Sequence, residues 1–370
     1  MQTVKVKAPG RINLIGEHTD YNDGFVLPAA IQMGATATIT KRADDEIHLT
    51  AKDLNDTLII DSLANLRISE KQWANYILGV IVQFVKKRKF PTGFDIELSS
   101  DIPIGAGLCS SAAIECSIAF GLNELFEFGI DKMELTFMAQ KAEHDFAGVQ
   151  CGIMDQFASM FGKKDEVVLL DCKTMEYHYF PLPLKGYQII LFDTSVKHAL
   201  ASSEYNTRRK ECEQGIQFIQ SKFPNVQSLR TASLQMLLET VDPNQFPQVF
   251  NRCKYVIEEI SRTQAATEDL KQNDLKAFGE KMYATHDGLS KLYEVSCPEL
   301  DTLINLVIAN NHVVGARMMG GGFGGCTINI IKEQNAPSII ESIAAEYLSQ
   351  TGQALKYYIV SVEDGVHIIR

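Results

Sequence analysis

The stretch Ile102-Pro-Ile-Gly-Ala-Gly-Leu-Cys-Ser-Ser-Ala-Ala113 joins a loop of glycines and serines to a run of small and apolar residues. That run, Ser110–Phe126, predicts a helix that begins where the glycines end. Glycines let backbone N–H groups converge on an anion, and a helix N-terminus adds N–H groups without intrahelical partners, so phosphate is the natural ligand. Ser110 and Ser111 are candidate contacts to a phosphate oxygen or a magnesium ion. The loop lacks the Gly-Lys-Ser/Thr ending of a Walker A motif, and taken alone it also suits an ordinary N-cap after a turn.

A second glycine-rich stretch, Gly320-Gly-Gly-Phe-Gly-Gly325, formally matches the dinucleotide pattern GxGxxG. A dinucleotide fold needs that pattern between a strand and a helix near the start of a βαβ unit. Here the following residues, 327–331, predict a strand, so we reject the dinucleotide interpretation. The stretch predicts either a flexible loop packed against a substrate or the first glycine loop, or a tight turn in a β-corner.

Polar residues cluster in a third stretch, Ala8-Pro-Gly-Arg-Ile-Asn-Leu-Ile-Gly-Glu-His-Thr-Asp-Tyr21. Carboxylates and an imidazole in such a segment suit a sugar site, where hydroxyl groups are held by paired hydrogen bonds, although a solvated loop has the same composition. Further along, Asp155 lies among apolar residues, and an unpaired buried carboxylate is costly. We therefore expect Asp155 to meet a cation or a substrate proton, with Arg11 as the partner. A purely structural ion pair is the alternative.

Composition limits the classes of function. The chain has 370 residues, a formal net charge of −11 and 45% hydrophobic residues, which predicts an ordered protein of two lobes that does not bind nucleic acid or a membrane surface. The N-terminus has no apolar run of signal-peptide length, so we expect a cytoplasmic protein. The eight cysteines lack zinc-ligand spacing and predict reduced thiols.

Hydrophobic periodicity predicts a mixed α and β fold. We expect strands, several of them paired as an antiparallel meander, at 35–41, 47–51, 57–60, 94–98, 167–171, 188–193, 326–331 and 357–362. We expect helices at 73–87, 110–126, 132–147, 203–222, 250–272, 275–293, 299–310 and 337–349. A lobe boundary is expected near 180–200.

Together the motifs resemble the GHMP kinases, the superfamily of galactokinase, homoserine kinase, mevalonate kinase and phosphomevalonate kinase. Gly10–Tyr21 looks like the galactokinase-family signature, and Cys151-Gly-Ile-Met-Asp-Gln-Phe157 is similar to that family's active-site segment. The likeness runs from about residue 8 to 330. It implies an α+β, two-lobed fold with an N-terminal lobe of mixed sheet and helices at 1–185, an α+β C-terminal lobe at 186–370, and the active site in the cleft between them.

The resemblance also implies an activity, the ATP-dependent phosphorylation of the anomeric hydroxyl of α-D-galactose, with Mg²⁺ as cofactor. It makes Asp155 the base that accepts the C1 hydroxyl proton, and gives Arg11 the role of stabilising that carboxylate and the transferring phosphoryl group. The implied sugar contacts are Glu17, His18, Asp20, Gly152 and Tyr205. The implied ATP contacts are Gly105, Ala106, Gly107, Leu108, Cys109, Ser110, Ser111, Trp73 and Tyr76, with magnesium held by Ser110 and Glu143. The family likeness implies a monomer.

One departure concerns the loop Gly105–Ser111, called the phosphate loop below. The family usually reads Gly-Leu-Ser-Ser-Ser-Ala there, and this chain has Cys109 in place of the first serine. The departure leaves open whether Ser110 or Ser111 is the metal ligand. A thiol at a helix N-terminus is expected to have a lowered pKa, which predicts a Cys109 that reacts with alkylating agents and is protected by ATP.

Three alternatives stay open, namely an N-acetylgalactosamine kinase, another sugar-1-kinase of the superfamily, and a non-catalytic sensor of galactose and ATP. The retained Glu-His-x-Asp favours galactose, and the presence of Arg11, Ser111 and Asp155 favours an enzyme.

Overall fold

The computed structural model describes residues 2–196 and 201–369, and for 201–203 the backbone alone. The strands are Thr3–Asn13 (β1), Phe25–Val26 (β2), Pro28–Lys41 (β3), Ile47–Ala51 (β4), Asp56–Ile60 (β5), Phe94–Ser100 (β6), Glu166–Asp171 (β7), Tyr177–Pro181 (β8), Tyr187–Asp193 (β9), Val313–Met318 (β10), Cys326–Lys332 (β11), Lys356–Val360 (β12) and His367–Ile368 (β13). The helices are Gln72–Lys87 (α1), Ser110–Phe126 (α2), Lys132–Ala142 (α3), Met154–Phe161 (α4), Ala201–Lys222 (α5), Leu234–Thr240 (α6), Pro247–Lys271 (α7), Leu275–Lys291 (α8), Pro298–Ile308 (α9) and Ala336–Thr351 (α10).

The fold is α+β, and its first sheet has the strand order β13-β1-β3-β6-β4-β5. Helix α2 packs on β1 and β3, with α1, α3 and α4 beside it. The small residues of α2 permit a close approach, since a Cβ at Gly121 would lie 2.7 Å from the side chain of Ile39 on β3. This packing holds the start of α2, and the glycine loop before it, at one end of β1.

The predicted strands and helices are present with shifted ends, and β4 and β5 pair as an antiparallel hairpin, but the predicted meander does not extend to β3 and β6. Strand β6 inserts between β3 and β4, and it pairs with β4 in parallel. A parallel neighbour needs a crossover, which α1 and its flanking loops supply between β5 and β6. The predicted helix 132–147 also differs, because α3 ends at Ala142 and a π-helical turn, Glu143–Ala147, follows.

The second sheet has the order β10-β11-β9-β12, and a third sheet has the order β2-β7-β8. Strand β13 near the C-terminus returns to the first sheet, where it pairs with β1. Helices α5 to α8 enclose a separate hydrophobic core that includes Val256 and Leu289. We propose a division into lobes at 1–185 and 186–370. The segment around β13 belongs to the second lobe in sequence but packs on the first, through its pairing with β1.

Within the part of the chain that the structure describes, every helix is too short or too polar to cross a membrane.

Candidate active site

A bulge in β1 brings Arg11 to the phosphate loop. The pairing of β1 with β3 shifts register between Pro9 and Arg11, at Gly10. A Cβ at Gly10 would lie 2.6 Å from the carbonyl oxygen of Leu108, so glycine is needed for the loop to approach the strand. The backbone N–H of Arg11 then donates to Leu108 O over 3.3 Å.

Arg11 and Asp155 form the ion pair that the sequence predicts. Arg11 Nε donates to Asp155 Oδ1 over 2.8 Å, and Arg11 Nη1 donates to Gly107 O over 2.7 Å. Arg11 is only 2% exposed. Burial lowers the pKa of Arg11, but Asp155, Cys109 and Glu17 together raise it by more, so the pKa lies above its ordinary value and the group stays charged. One planar cation thus ties the start of α4 to the phosphate loop.

The other oxygen of Asp155 is bonded to the thiol that distinguishes this loop. Cys109 Sγ–H donates to Asp155 Oδ2 over 2.7 Å. The expectation of a lowered pKa at Cys109 is wrong, because burial raises the thiol pKa well above its ordinary value and the neighbouring Asp155 raises it too, against the opposing effect of Arg11.

We predict that Cys109 reacts slowly with iodoacetamide near pH 7.5, with or without ATP and Mg²⁺. The raised pKa leaves little thiolate, which is the reactive species. Mass spectrometry of the Cys109 peptide, with glutathione as the reference thiol in the same tube, measures the rate. Labelling of Cys109 faster than that of glutathione would contradict the prediction.

The phosphate loop and the second glycine loop lie against each other. Gly105, Gly107 and Cys109 have φ of 83°, 75° and 58°, which turns the loop sharply before α2. A Cβ at Gly320 would lie 3.5 Å from Gly107 O, and one at Gly325 would lie 3.6 Å from Ala106 O. The stretch 320–325 is the turn of the β10–β11 hairpin, so it is followed by a strand, as expected.

The predicted sugar residues converge on one small cavity beside this ion pair. Its lining comprises Arg11, Glu17, His18, Asp20, Cys151, Gly152, Met154, Asp155, Tyr205, Gly320 and Gly321. All five predicted sugar contacts are present here together with both predicted catalytic residues. Their roles remain predictions.

Glu17 is held by an arginine that the sequence analysis missed. Arg317 Nη1 donates to Glu17 Oε2 over 2.7 Å, and Arg317 Nε donates to Leu14 O over 2.9 Å. Arg317 is fully buried. One oxygen of Glu17 is therefore already committed to this cation. The sequence feature that could have identified Arg317 is its position as a charged residue in the apolar strand β10, just before the second glycine loop.

Two further groups in the cavity have shifted pKa values. Burial lowers the pKa of His18 to about 4, so its ring is neutral near pH 7. Burial, together with the nearby Asp155, raises the pKa of Asp20 to about 6. The cavity therefore offers a neutral imidazole beside carboxylates, a combination that suits the hydroxyl groups of a sugar.

Substituting Gly152 by alanine is expected to raise KM for galactose by about tenfold or more. A Cβ at this position would lie 1.8 Å from Asp20 Oδ2, and overpacking of that kind displaces the carboxylate. Steady-state kinetics measure the change, and KM for ATP serves as the internal control. A galactose KM equal to that of the unsubstituted protein would show that the position of Asp20 does not matter for the sugar.

Buried carboxyl groups lie behind the phosphate loop. Gln156 Nε2 donates to Glu143 Oε2 over 2.7 Å and to Glu115 Oε2 over 3.2 Å. Burial and Asp155 raise the pKa of Glu143 to about 6, an effect that a hydrogen bond from Ser111 opposes. Burial and the neighbouring Glu143 raise the pKa of Glu115 well above its ordinary value. The sequence analysis missed Glu115 and Gln156.

These residues fit a magnesium ion that arrives with a nucleotide. Among the described residues, no group of three or more His, Cys, Asp or Glu side chains is arranged to hold a metal. Mg²⁺ commonly binds through one or two carboxylates together with substrate phosphates. Glu143 supplies a carboxylate, and Ser111 is the serine whose hydroxyl bonds to it, next to Ser110 at the start of α2.

A large open cavity lies between β5 and α1. It has a volume of about 890 Å³ and is lined by Leu58–Asp61, Ala64–Lys71 and Leu78. Trp73, at the start of α1, donates its indole N–H to Asp56 Oδ2 over 2.9 Å. Burial raises the pKa of Tyr76, one turn further along α1, and Glu143 adds to the shift. The predicted contact of Trp73 and Tyr76 with adenine remains a prediction.

The fold and these motifs define a class, the GHMP kinases. Residues 75–163 match the GHMP kinases N terminal domain, and residues 266–349 match the GHMP kinases C terminal. Residues 2–41 match the galactokinase galactose-binding signature. The crystal structure of Methanococcus jannaschii mevalonate kinase shares the fold, with a TM-score of 0.66 at 19% identity over 98% of each chain.

Relatives of higher sequence identity place the chain in one family of this class. Galactokinase of Clostridium acetobutylicum is 42% identical over 97% of this chain and 92% of its own, and galactokinase of Thermotoga petrophila is 40% identical over 99% and 100%. Lactococcus lactis galactokinase, crystallised with galactose, superposes with a TM-score of 0.94 at 33% identity over 99% and 95% of the two chains. The chain belongs to the galactokinase family.

Proposed function

We propose that this protein is a galactokinase, which transfers the γ-phosphoryl group of ATP to the C1 hydroxyl of α-D-galactose and gives galactose 1-phosphate and ADP. The observation that carries the proposal is the position of Asp155, which lines the small cavity that contains the predicted sugar contacts and also lies against the phosphate loop. Its two oxygens are bonded to Arg11 and to Cys109, and Arg11 is bonded in turn to the loop carbonyl of Gly107. Family membership supports the same activity.

In this mechanism Asp155 accepts the proton of the C1 hydroxyl. That oxygen bonds to the γ-phosphorus while the bond from phosphorus to the bridging oxygen breaks, and ADP leaves with the electron pair. The loop amides and Arg11 supply positive charge where the equatorial oxygens gain negative charge. Magnesium, held with the ATP phosphates by Glu143 and by Ser110 or Ser111, would neutralise phosphate charge.

Glu115→Gln is predicted to stay within about threefold of normal activity. Burial and the neighbouring Glu143 raise the pKa of Glu115 well above its ordinary value, which favours the neutral carboxyl, and glutamine keeps that shape without a charge. Glu143→Gln removes a proposed metal ligand and is expected to raise the Mg²⁺ concentration for half-maximal rate by at least ~10-fold. Titration of ADP release with Mg²⁺ compares the two. Equal impairment of both variants would contradict the prediction.

The proposed activity is tested by ADP release with ATP and Mg²⁺ against galactose, glucose, N-acetylgalactosamine, arabinose, homoserine and mevalonate. Turnover with galactose and weak or no turnover with the others supports the proposal. Activity on another member of the panel would overturn the substrate assignment. Thermal stabilisation by galactose without turnover would indicate a sensor instead.

We further propose that the protein acts as a cytoplasmic monomer that engages neither nucleic acid nor membrane. The net charge of −11 disfavours anionic partners, and the eight free cysteines suit a reducing compartment. Light scattering tests the oligomeric state, with 41.2 kDa expected for the monomer.

A further inference from the structure

His18 meets the sugar cavity through one nitrogen while the other is engaged within the protein. The residue has a left-handed backbone, with φ of 61°, and is 4% exposed. Its ring packs against the rings of Tyr205 and Tyr293, at centroid distances of 5.4 and 4.8 Å. Nε2 is buried and makes no well-formed hydrogen bond among the described residues, and the backbone of Gly321, which lines the same cavity, lies close enough to the ring to oppose the lowering of its pKa.

The other nitrogen begins a chain of hydrogen bonds that leads away from the cavity. His18 Nδ1 lies 2.8 Å from Tyr21 Oη, and Tyr21 Oη lies 2.7 Å from Tyr293 Oη. Tyr293 Oη lies 3.4 Å from Cys212 Sγ. Tyr293 and Cys212 are buried. Each hydroxyl has one proton, so Tyr21 either donates its proton to His18 Nδ1 or accepts from a protonated Nδ1.

The direction of the hydrogen bond between Tyr21 and His18 follows from the acceptor strength of its two atoms. If Tyr21 is the donor, its O–H points at the unprotonated nitrogen of a neutral imidazole, which is a strong acceptor. The reverse direction requires the phenol oxygen of Tyr21 to accept from the imidazole N–H, and a phenol oxygen is a weaker acceptor than an imidazole nitrogen. A neutral histidine carries one N–H, so a hydrogen bond accepted at one nitrogen assigns the proton to the other.

We propose that Tyr21 is a positioning residue that fixes the neutral ring of His18 with its proton on Nε2, so that the sugar cavity presents a hydrogen-bond donor there. This inference rests on the proposed function, since it assigns the polarity of one contact to the sugar. Asp20 and Asp155 in the same cavity present acceptor oxygens, so a sugar hydroxyl that reaches a carboxylate and His18 both donates and accepts. Such a pairing uses both the donor and one acceptor position of that hydroxyl and disfavours a methylene group in its place.

The tautomer is measured without substrate, by two-bond ¹H–¹⁵N correlation of protein labelled with ¹⁵N-histidine at pH 7. The chain has eight histidines, and loss of signals in His18→Asn assigns those of His18. We expect a protonated Nε2 and an unprotonated Nδ1, and in Tyr21→Phe a mixture or a shift toward protonated Nδ1. A protonated Nδ1 in the unsubstituted protein, or a tautomer unchanged by Tyr21→Phe, would overturn the proposal.

Kinetics provide a second readout. Tyr21→Phe is expected to raise KM for galactose about tenfold with kcat within about threefold, because one hydrogen bond to the sugar is weakened. Tyr283→Phe is the matched control, since the hydroxyl of Tyr283 has no hydrogen-bond partner among the described residues and lies outside the cavity. A parallel fall in kcat and thermal midpoint, with KM unchanged, would show a structural role for Tyr21 and overturn the proposal.

Deoxygalactoses identify the partner of His18. The analogue that lacks the oxygen facing His18 is expected to bind the unsubstituted protein about tenfold more weakly than galactose does. In Tyr21→Phe the same analogue and galactose are expected to bind with similar affinity, so the two changes are not additive, as in a double-mutant cycle. Additive losses for every analogue would contradict the proposal. Failure of the protein to phosphorylate galactose would refute the proposed function alone, since the tautomer is determined in the ligand-free protein.

Discussion

Replacing Asp155 by alanine is expected to lower kcat by ~10²–10⁴-fold, the usual contribution of a positioned general base, while galactose still binds. The carboxylate is the proposed proton acceptor, whereas the other groups that line the cavity remain. Coupled-enzyme assays measure turnover, and calorimetry measures galactose binding. Near-normal turnover would remove Asp155 from the mechanism.

Two further variants sharpen this experiment. Asp155→Asn keeps the shape of the side chain and cannot accept a proton, so it is expected to be as inactive as alanine. Asp131→Asn is the matched control, because Asp131 caps α3 by accepting from Glu134 N–H over 2.9 Å, and asparagine caps a helix equally well. Asp131→Asn is expected to keep its activity.

Arg11→Lys is expected to lower kcat/KM by ~10²-fold or more, although the charge is conserved. The guanidinium holds Asp155 through Nε and Gly107 O through Nη1 at the same time, and an ammonium on a flexible stem cannot reproduce that planar arrangement. KM for ATP is expected to rise as well, because the phosphate loop loses the side-chain hydrogen bond from Arg11 to Gly107 O. Steady-state kinetics with each substrate varied in turn measure both effects.

The control for Arg11 is Arg88→Lys. Arg88 is exposed, and its guanidinium donates to the carbonyl oxygen of Lys87. Arg88→Lys is expected to match the unsubstituted protein. Activity of Arg11→Lys within a few-fold of normal would show that charge alone is sufficient at position 11.

The motifs were predictable because their chemistry is local. A glycine loop followed by small apolar residues predicts the start of α2, and a carboxylate among apolar residues predicts the Arg11–Asp155 pair. Neither inference depends on how distant strands pair. Both are confirmed by the geometry, whereas the catalytic roles remain proposals.

Other features depend on contacts that are remote in the chain. The parallel pairing of β4 with β6 reflects packing of the whole lobe, which periodicity does not encode. The pKa of Cys109 was predicted from the helix N-terminus alone, and burial beside Asp155 reversed its direction. Arg317 contacts Glu17 from 300 positions away, so a single sequence identifies it only as a charge in an apolar strand.

The most direct test of the account is ³¹P NMR of the product formed from galactose, ATP and Mg²⁺. The account predicts one sugar phosphate, with phosphorus coupled to the anomeric proton at C1, formed in equal amount to ADP. That product is expected if the C1 hydroxyl lies at Asp155 and the γ-phosphate at the glycine loop. Phosphate on another hydroxyl, or ADP formed without any sugar phosphate, would contradict the account.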